Sequence, residues 1–413
     1  MERVLRKTRG VQTVNRIFRA LRHRDFRWYW ASAAAQPVGM GMQFLIHSWL
    51  VLELTGSASR MGFLVFLFGI TGMIVILFAG TLADRFDRRD LSASTQALTA
   101  VVLAALAVLQ LLDRIALWHL YVSVVLMAFF MAINTPARAA LVPDLVDRED
   151  IMNAVVLNTA VMNAGRVLGP AIAGAVIQFS GIGPSLCVAA GFFALASLTL
   201  MMVRRPERAA PVERASFVSD LGAGFRYCWT NPVTFTVITI GFAFGLFGMS
   251  YVQLMPAFAK QVLGANAGQV GLLMSGAGVG ALAGTIVLAS LGNFRYKNWL
   301  LIASMFLFGV SLFLLAWSPW FWVSWGILFF LGLSDIFPMG TTVLQLSVSP
   351  ELRGRVMSLW YVTAAFTLIG AFPMALVADH VNWTTAFAGG AATCLVVAMI
   401  VGVFRPTLRQ LRV

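Results

Sequence analysis

Twelve runs of about 20 mostly apolar residues, grouped as two sets of six, constrain what this 413-residue chain can fold into more than any other feature. An α-helix needs about 20 such residues to cross a hydrocarbon core roughly 30 Å thick. The runs lie near 28–54, 61–82, 92–112, 118–138, 153–179, 185–203, 232–257, 268–290, 298–316, 320–343, 355–378 and 383–404. They predict an all-α integral membrane protein with twelve transmembrane helices. Composition points the same way, since 59% of residues are hydrophobic and 11% charged, far from the balance of a soluble domain.

The net charge of +13 would suggest nucleic acid in a soluble chain. Its distribution supplies a different cause. Connections facing one side carry only Arg60, Arg114 and Lys260, whereas 26 of the 30 basic residues fall on the other side or beside it. By the positive-inside rule that side is cytoplasmic, and so are both termini of a multi-pass protein of the cell membrane. No nucleic-acid partner is needed. The three cysteines lie in apolar or cytosol-side stretches and imply no disulfide. Residues 1–27 place Val14, Ile17, Phe18 and Leu21 on a stripe flanked by arginines, the pattern of a helix resting on anionic lipid.

The long polar stretch 204–231 divides the chain into halves. The expected organisation is a basic interfacial segment 1–27, a six-helix bundle 28–203, a cytoplasmic linker 204–231, a second bundle 232–404 and a tail 405–413. The halves echo each other at an offset of about 209 residues: Thr55-Gly56-Ser57 through Gly62 parallels Leu263-Gly264-Ala265 through Gly271, and Asp84 falls opposite Asn293. Internal symmetry of this kind marks transporters with a site between the repeats near the bilayer midplane.

Two motifs carry mechanism. Gly80-Thr81-Leu82-Ala83-Asp84-Arg85-Phe86-Asp87-Arg88-Arg89 occupies the connection between spans two and three. Its glycine admits a neighbouring helix, its aspartate can cap one, and its arginines hold the loop at the lipid surface. Span five carries Gly165, Gly169, Pro170 and Gly174, a pattern that permits close helix crossing and weakens the backbone ladder.

The first motif resembles the signature loop of the major facilitator superfamily, G-x-L-A-D-R-x-G-R-[RK], with Asp87 where that family usually has glycine. In the family the Gly80 and Asp84 positions pack on span eleven and lock the outward-open state, so the resemblance makes Gly80, Asp84, Arg85, Arg88 and Arg89 the expected conformational latch. The second resembles the superfamily's span-five antiporter motif, with Ala173 replacing one glycine, and implies export. Trp49 through Ser57, Pro136 through Pro143, Arg148-Glu149-Asp150, Asn153-Ala154 and Arg353 through Met357 are similar to the branch of transmembrane secretion effectors that includes enterobactin exporters. That resemblance implies two pseudo-symmetric six-helix bundles, a monomer, and proton-driven export of siderophores, macrolides or other amphiphiles. The acid this branch often carries in span one is absent, Met40 standing there.

Gln36, Met40, Gln43 and His47 recur on one face of span one and are expected to line a substrate cavity, since polar groups in a span avoid lipid. Met127, Met131, Asn134 and Arg138 form a comparable face in span four, and Tyr251 and Gln253 are candidates in span seven. Arg166 and Asp335 are charges within spans. An unpaired ion there is costly, so the pair is the expected ion-coupling element, Asp335 titrating and Arg166 pairing with it or with an anionic substrate. A permanent structural ion pair stays open on the same cost argument.

The sequence reading is therefore a secondary active exporter of a small amphiphilic molecule by alternating access, coupled to H+, in contact with lipid and without a cofactor. It is not an enzyme: no phosphate-cradling loop occurs, and His23, His47, His119 and His380 form no metal or acid–base cluster with carboxylates. An importer or facilitator of the same fold, and a non-transporting membrane sensor, remain open alternatives.

Overall fold

A computed structural model describes residues 19–205, 225–290, 297–335 and 337–404, with the side chains of 77, 80–85, 289, 297, 298, 337, 338, 346, 350, 351 and 404 outside that description. The N-terminal half comprises α1 (Arg24–Thr55), α2 (Ala58–Arg85), α3 (Arg88–Leu111), α4 (Leu117–Leu141), α5 (Ile151–Ser180) and α6 (Ile182–Met201). The C-terminal half comprises α7 (Pro232–Gln261), α8 (Ala267–Ser290), α9 (Lys297–Ala316), α10 (Phe321–Leu333), α11 (Phe337–Ser347), α12 (Pro350–His380) and α13 (Trp383–Phe404). No strand occurs among the described residues.

Ten helices are long and apolar enough to cross a bilayer by length and composition alone. At the two other expected places stand α1, a 32-residue helix carrying four charged side chains, and the α10–α11 pair, neither of which meets that measure. The run read as one span over 320–343 is thus interrupted at Ser334 and Asp335. Ser334 ends α10 with its hydroxyl on the Leu331 carbonyl at 3.0 Å, and Pro338 lacks the N–H that would continue the ladder, which suits it to a new helix start.

Local chemistry sets the other boundaries. Gly56 follows α1 at φ 65°, its N–H returning to the Leu52 carbonyl, and Gly264 follows α7 at φ 61°. A left-handed residue closes a helix at little cost only as glycine. Each half thus places a left-handed glycine between its first and second spans. Asp87 caps α3 by accepting from the N–H groups of Arg89 and Asp90, and Asn231 does the same for Val233 and Thr234 at the start of α7. The residue that replaces the signature loop's usual glycine is therefore a helix cap.

The same pairing scheme operates twice. In the N-terminal half α1 packs on α5 and α6, α2 on α4, and α3 on α6; in the C-terminal half α7 packs on α12, α8 on α10, and α9 on α13. Across the halves α5 meets α8 and α2 meets α12. In both cases the fifth span of one half touches the second span of the other, as a two-fold arrangement requires.

Ahead of α1, the turn Arg19–Arg22 is fixed to the start of α5. Arg19 pairs with Glu149 and Asp150 at 2.9 and 2.8 Å, His23 reaches Asp150 at 2.9 Å, and the Ala20 N–H bonds Asn153 at 2.9 Å. Glu149 and Asp150 push the Arg19 guanidinium pKa up. Val14, Ile17 and Phe18 of the expected interfacial stripe lie outside the described residues. Within the expected linker, 225–230 are helical.

Candidate functional site

The halves join at the end of the molecule that carries the α1–α2 and α12–α13 turns. There the carboxylate of Asp379, from α12, accepts hydrogen bonds from the Ala58 and Ser59 N–H groups at 3.0 and 2.7 Å and from the Ser57 and Ser59 hydroxyls at 2.7 and 2.6 Å. A helix start has unsatisfied N–H groups and a partial positive charge. The C-terminal half therefore caps a helix of the N-terminal half. Gln261 adds a bridge, donating to the Gly56 carbonyl and accepting from the Trp383 indole, each at 2.8 Å. Deeper in, the Phe372 ring packs between Phe63 and Phe66 at 5.4 and 5.9 Å. A side chain at Gly69 would meet Leu368 at 2.6 Å.

Further along α2 the helix opens: a Cβ on Gly72 would meet nothing within 4 Å, and Ile76, two turns beyond Gly69 on its face, is 40% exposed. The partner seam behaves alike. Gly271 of α8 lies against Pro170 and Ala171 of α5, and Gly278 against Val167. Past Val167, the face of α5 that continues this contact is open, with Met152 74% and Val156 57% exposed. Both seams thus become more exposed toward the end that carries the α2–α3 turn, as a cleft between the bundles would give.

Arg166 marks its roof. It shares a helical face with Ala173, seven residues on. Ala173 is fully buried and Arg166 exposed, so that face passes from packed interior into the cleft. Among the described residues Arg166 has no ion pair or hydrogen bond, so the structure does not bring it into contact with Asp335. Asp335 stands at the α10–α11 break, within electrostatic reach of Tyr251.

A second space opens inside the N-terminal half, a small cavity lined by Gln36, Met40 and Gln43 of α1, Phe68 of α2, Thr95, Gln96 and Thr99 of α3, Met127, Phe130, Met131 and Asn134 of α4, and Phe193 of α6. Its polar lining is largely self-paired. Gln36 donates to Asn134 at 3.2 Å, and Asn134 donates to the Ser92 carbonyl at 3.1 Å and the Thr95 hydroxyl at 2.7 Å.

Four of the seven expected cavity residues, Gln36, Met40, Gln43 and Asn134, meet here. The others do not. His47 is 2% exposed, its ring nitrogens engaged by the Gln43 carbonyl at 2.9 Å and the Ser123 hydroxyl at 3.0 Å. Tyr251 is 2% exposed and packs edge-on to Phe308 inside the C-terminal half. Gln253 is half-buried outside the cavity wall. Arg138 is buried one turn below Asn134, its guanidinium 3.1 Å from the Ser32 hydroxyl and 5.0 Å over the Tyr29 ring. Thr95, Gln96 and Thr99 were missed in sequence. Ser92, Thr95, Gln96 and Thr99 recur at helical spacing, the same signal that exposed the α1 stripe.

Of the expected latch, the side chains of Gly80, Asp84 and Arg85 lie outside the described residues. Arg88 pairs with Asp144 at 2.9 Å and with the Ala140 carbonyl, while Arg89 donates to the Leu200 and Met201 carbonyls. Both arginines bind ends of helices in their own half. In span five, Gly165 and Gly169 let α1 approach, a side chain at Gly169 meeting Gly41 Cα at 2.7 Å, and Gly174 lies against Ala267 of the other half.

This architecture is shared with solved transporters: the nucleoside transporter NupG superposes with a TM-score of 0.69 at 15% identity, covering 92% of this chain and 99% of its own. Among curated relatives, the multidrug efflux pump Tap of Mycolicibacterium fortuitum is 26% identical over 92% of this chain and 95% of its own length. Macrolide efflux protein A of Streptococcus pyogenes is 23% identical over 86% and 90%. A family model described as transmembrane secretion effector matches residues 16–411. With that match running through both halves, the cleft and the span-five seam, the chain belongs to the transmembrane secretion effectors of the major facilitator superfamily.

Proposed function

We propose that this protein exports a small amphiphilic molecule across the cell membrane by alternating access, in exchange for protons. The observation that carries the reading is the asymmetry of the seam between the halves, joined through Asp379 at one end and parted below Gly72 and Val167 at the other. The positive-inside distribution assigns the parted end, with both termini, to the cytoplasm. The cleft then faces the compartment from which an exporter loads. Rocking of the two bundles about the midplane would break the Asp379 cap and close the cytoplasmic end, where the signature loop with Gly80, Asp84 and Arg85 lies in sequence.

Export as the direction draws on the efflux relatives and on the span-five motif. In this reading the monomer is the working unit. Arg166, a cation at the roof of the cleft, attracts an anionic group of the substrate or the carboxylate of Asp335 when the bundles rock. Asp335 carries the proton, because a carboxylate at a helix break inside the bilayer is costly to keep charged unless a cation approaches.

Proteoliposomes loaded with a panel of amphiphilic drugs test the reading. An imposed pH gradient is expected to accelerate efflux at least about tenfold, the Asp335→Asn protein exchanging substrate without responding to the gradient. Efflux driven by a Na+ gradient alone would replace the coupling ion. Binding without movement under any gradient would replace transport by sensing.

A further inference from the structure

Gln96 is 2% exposed, and among the described residues neither its amide nitrogen nor its amide oxygen has a hydrogen-bond partner. It also lines the cavity inside the N-terminal half. An amide so placed loses its water without recovering a bond, and buried polar groups in native proteins are nearly always satisfied. Its polar neighbours Thr95, Thr99 and Asn134 spend their protons elsewhere: Thr95 on the Leu91 and Ser92 carbonyls, Thr99 on the Thr95 carbonyl, and Asn134 on the Ser92 carbonyl and the Thr95 hydroxyl. Among the described residues that line the cavity, Gln96 is the one whose two polar atoms are both fully buried and without a partner.

The rest of the wall defines what could satisfy it. Met40, Met127, Met131, Phe68, Phe130 and Phe193 supply polarizable apolar surface, and no charged side chain lines the space. A donor and an acceptor side by side, in an uncharged and aromatic-rich enclosure, match one chemistry: a neutral amide, urea or carbamate joined to an apolar or aromatic body. We propose that Gln96 is a ligand-binding residue that holds such a group through a paired donor–acceptor contact. The subsite lies within one bundle, beside the cleft between the two. Its role in selecting cargo rests on the export reading, but the contact itself does not.

The isosteric pair 4-fluorobenzamide and 4-fluoroacetophenone tests it, because the two differ by an amide NH2 in place of a methyl. Binding to the full-length protein in lipid nanodiscs is followed by fluorine NMR line broadening, with empty nanodiscs subtracting partition into lipid. The amide is expected to bind about tenfold tighter than the ketone, an increment ordinary for one satisfied polar pair. In Gln96→Met, which keeps chain length and removes both polar atoms, the preference should disappear and the thermal midpoint should equal or exceed that of wild type. Equal binding of the two probes to wild type would overturn the proposal, as a cavity filled by water would give. So would an amide preference that survives in Gln96→Met, or a Met variant that folds less well, which would assign the amide to packing. Loss of gradient-driven efflux with the amide preference intact would sink the export reading and leave this subsite standing; the reverse outcome would sink the subsite alone.

Discussion

The two halves pair their helices alike yet hold different interiors. Buried in the N-terminal half are Gln43, His47, Gln96, Asn134 and Arg138. Among the described residues of the C-terminal half the buried polar side chains are hydroxyls only, such as Thr236, Ser250, Ser311 and Thr363, and each can bond a carbonyl of its own helix. The largest fully buried side chains of the C-terminal half are instead aromatic: Phe244, Phe258, Phe308, Trp360 and Phe387. The contrast teaches that backbone approach, set by small residues, fixes the bundle, while the side chains filling it are free to diverge. Among the described residues, buried amide, imidazole and guanidinium side chains are confined to the N-terminal half.

If packing is the shared property, breaking it should hurt both halves equally, and this is the largest effect expected. Gly169→Leu drives a side chain into Gly41 of α1, and Gly332→Leu drives one into α8 beside Ala277. Each should cost about 3 kcal/mol or more and remove most monodisperse protein from detergent extracts. A severe loss from one substitution alone would show that the halves do not depend on packing alike.

The next effect concerns the joined end. Asp379→Ala removes all four hydrogen bonds at the start of α2. Asp379 is exposed, so water screens the loss, and the seam should weaken by about 1 kcal/mol. With Ala375→Cys as reporter in a background without native cysteines, alkylation by a membrane-impermeant maleimide should rise about fivefold. An unchanged rate would mean that the apolar seam around Phe372 holds this end by itself.

The smallest effects separate the interiors. His47→Leu strips the partner from the Gln43 carbonyl and the Ser123 hydroxyl and should lower stability by about 1–3 kcal/mol, with gradient-driven exchange retained. Tyr251→Phe, in the aromatic interior, should stay within about 0.5 kcal/mol of wild type. Thermal unfolding and counterflow check both. A well-folded His47→Leu protein that ignores a pH gradient would move the coupling role from Asp335 to the N-terminal half.

Much of this was legible in the chain. The stripe Gln36, Met40, Gln43 showed because a helix repeats its face every three to four residues. The stripe Ser92, Thr95, Gln96, Thr99 has the same period, and threonine and serine in spans disguise it, since they satisfy themselves on their own helix. Tyr251 read as a cavity residue because an aromatic hydroxyl suits a wet wall equally well; Phe308, on another helix, encloses it instead. His47 read likewise until Ser123 of α4 took its second nitrogen.

The sequence by itself determined the membrane class, the duplicated six-span plan and the family signature, because each is a local matter of apolar length, turn chemistry and charge placement. Tertiary structure alone decided that the halves touch at one end, that Asp379 caps a helix of the opposite half, that Arg166 stands apart from Asp335, and that Gln96 is left without a partner. Those depend on contacts between residues far apart in the chain, and helical periodicity says which face a side chain occupies but not what that face will meet.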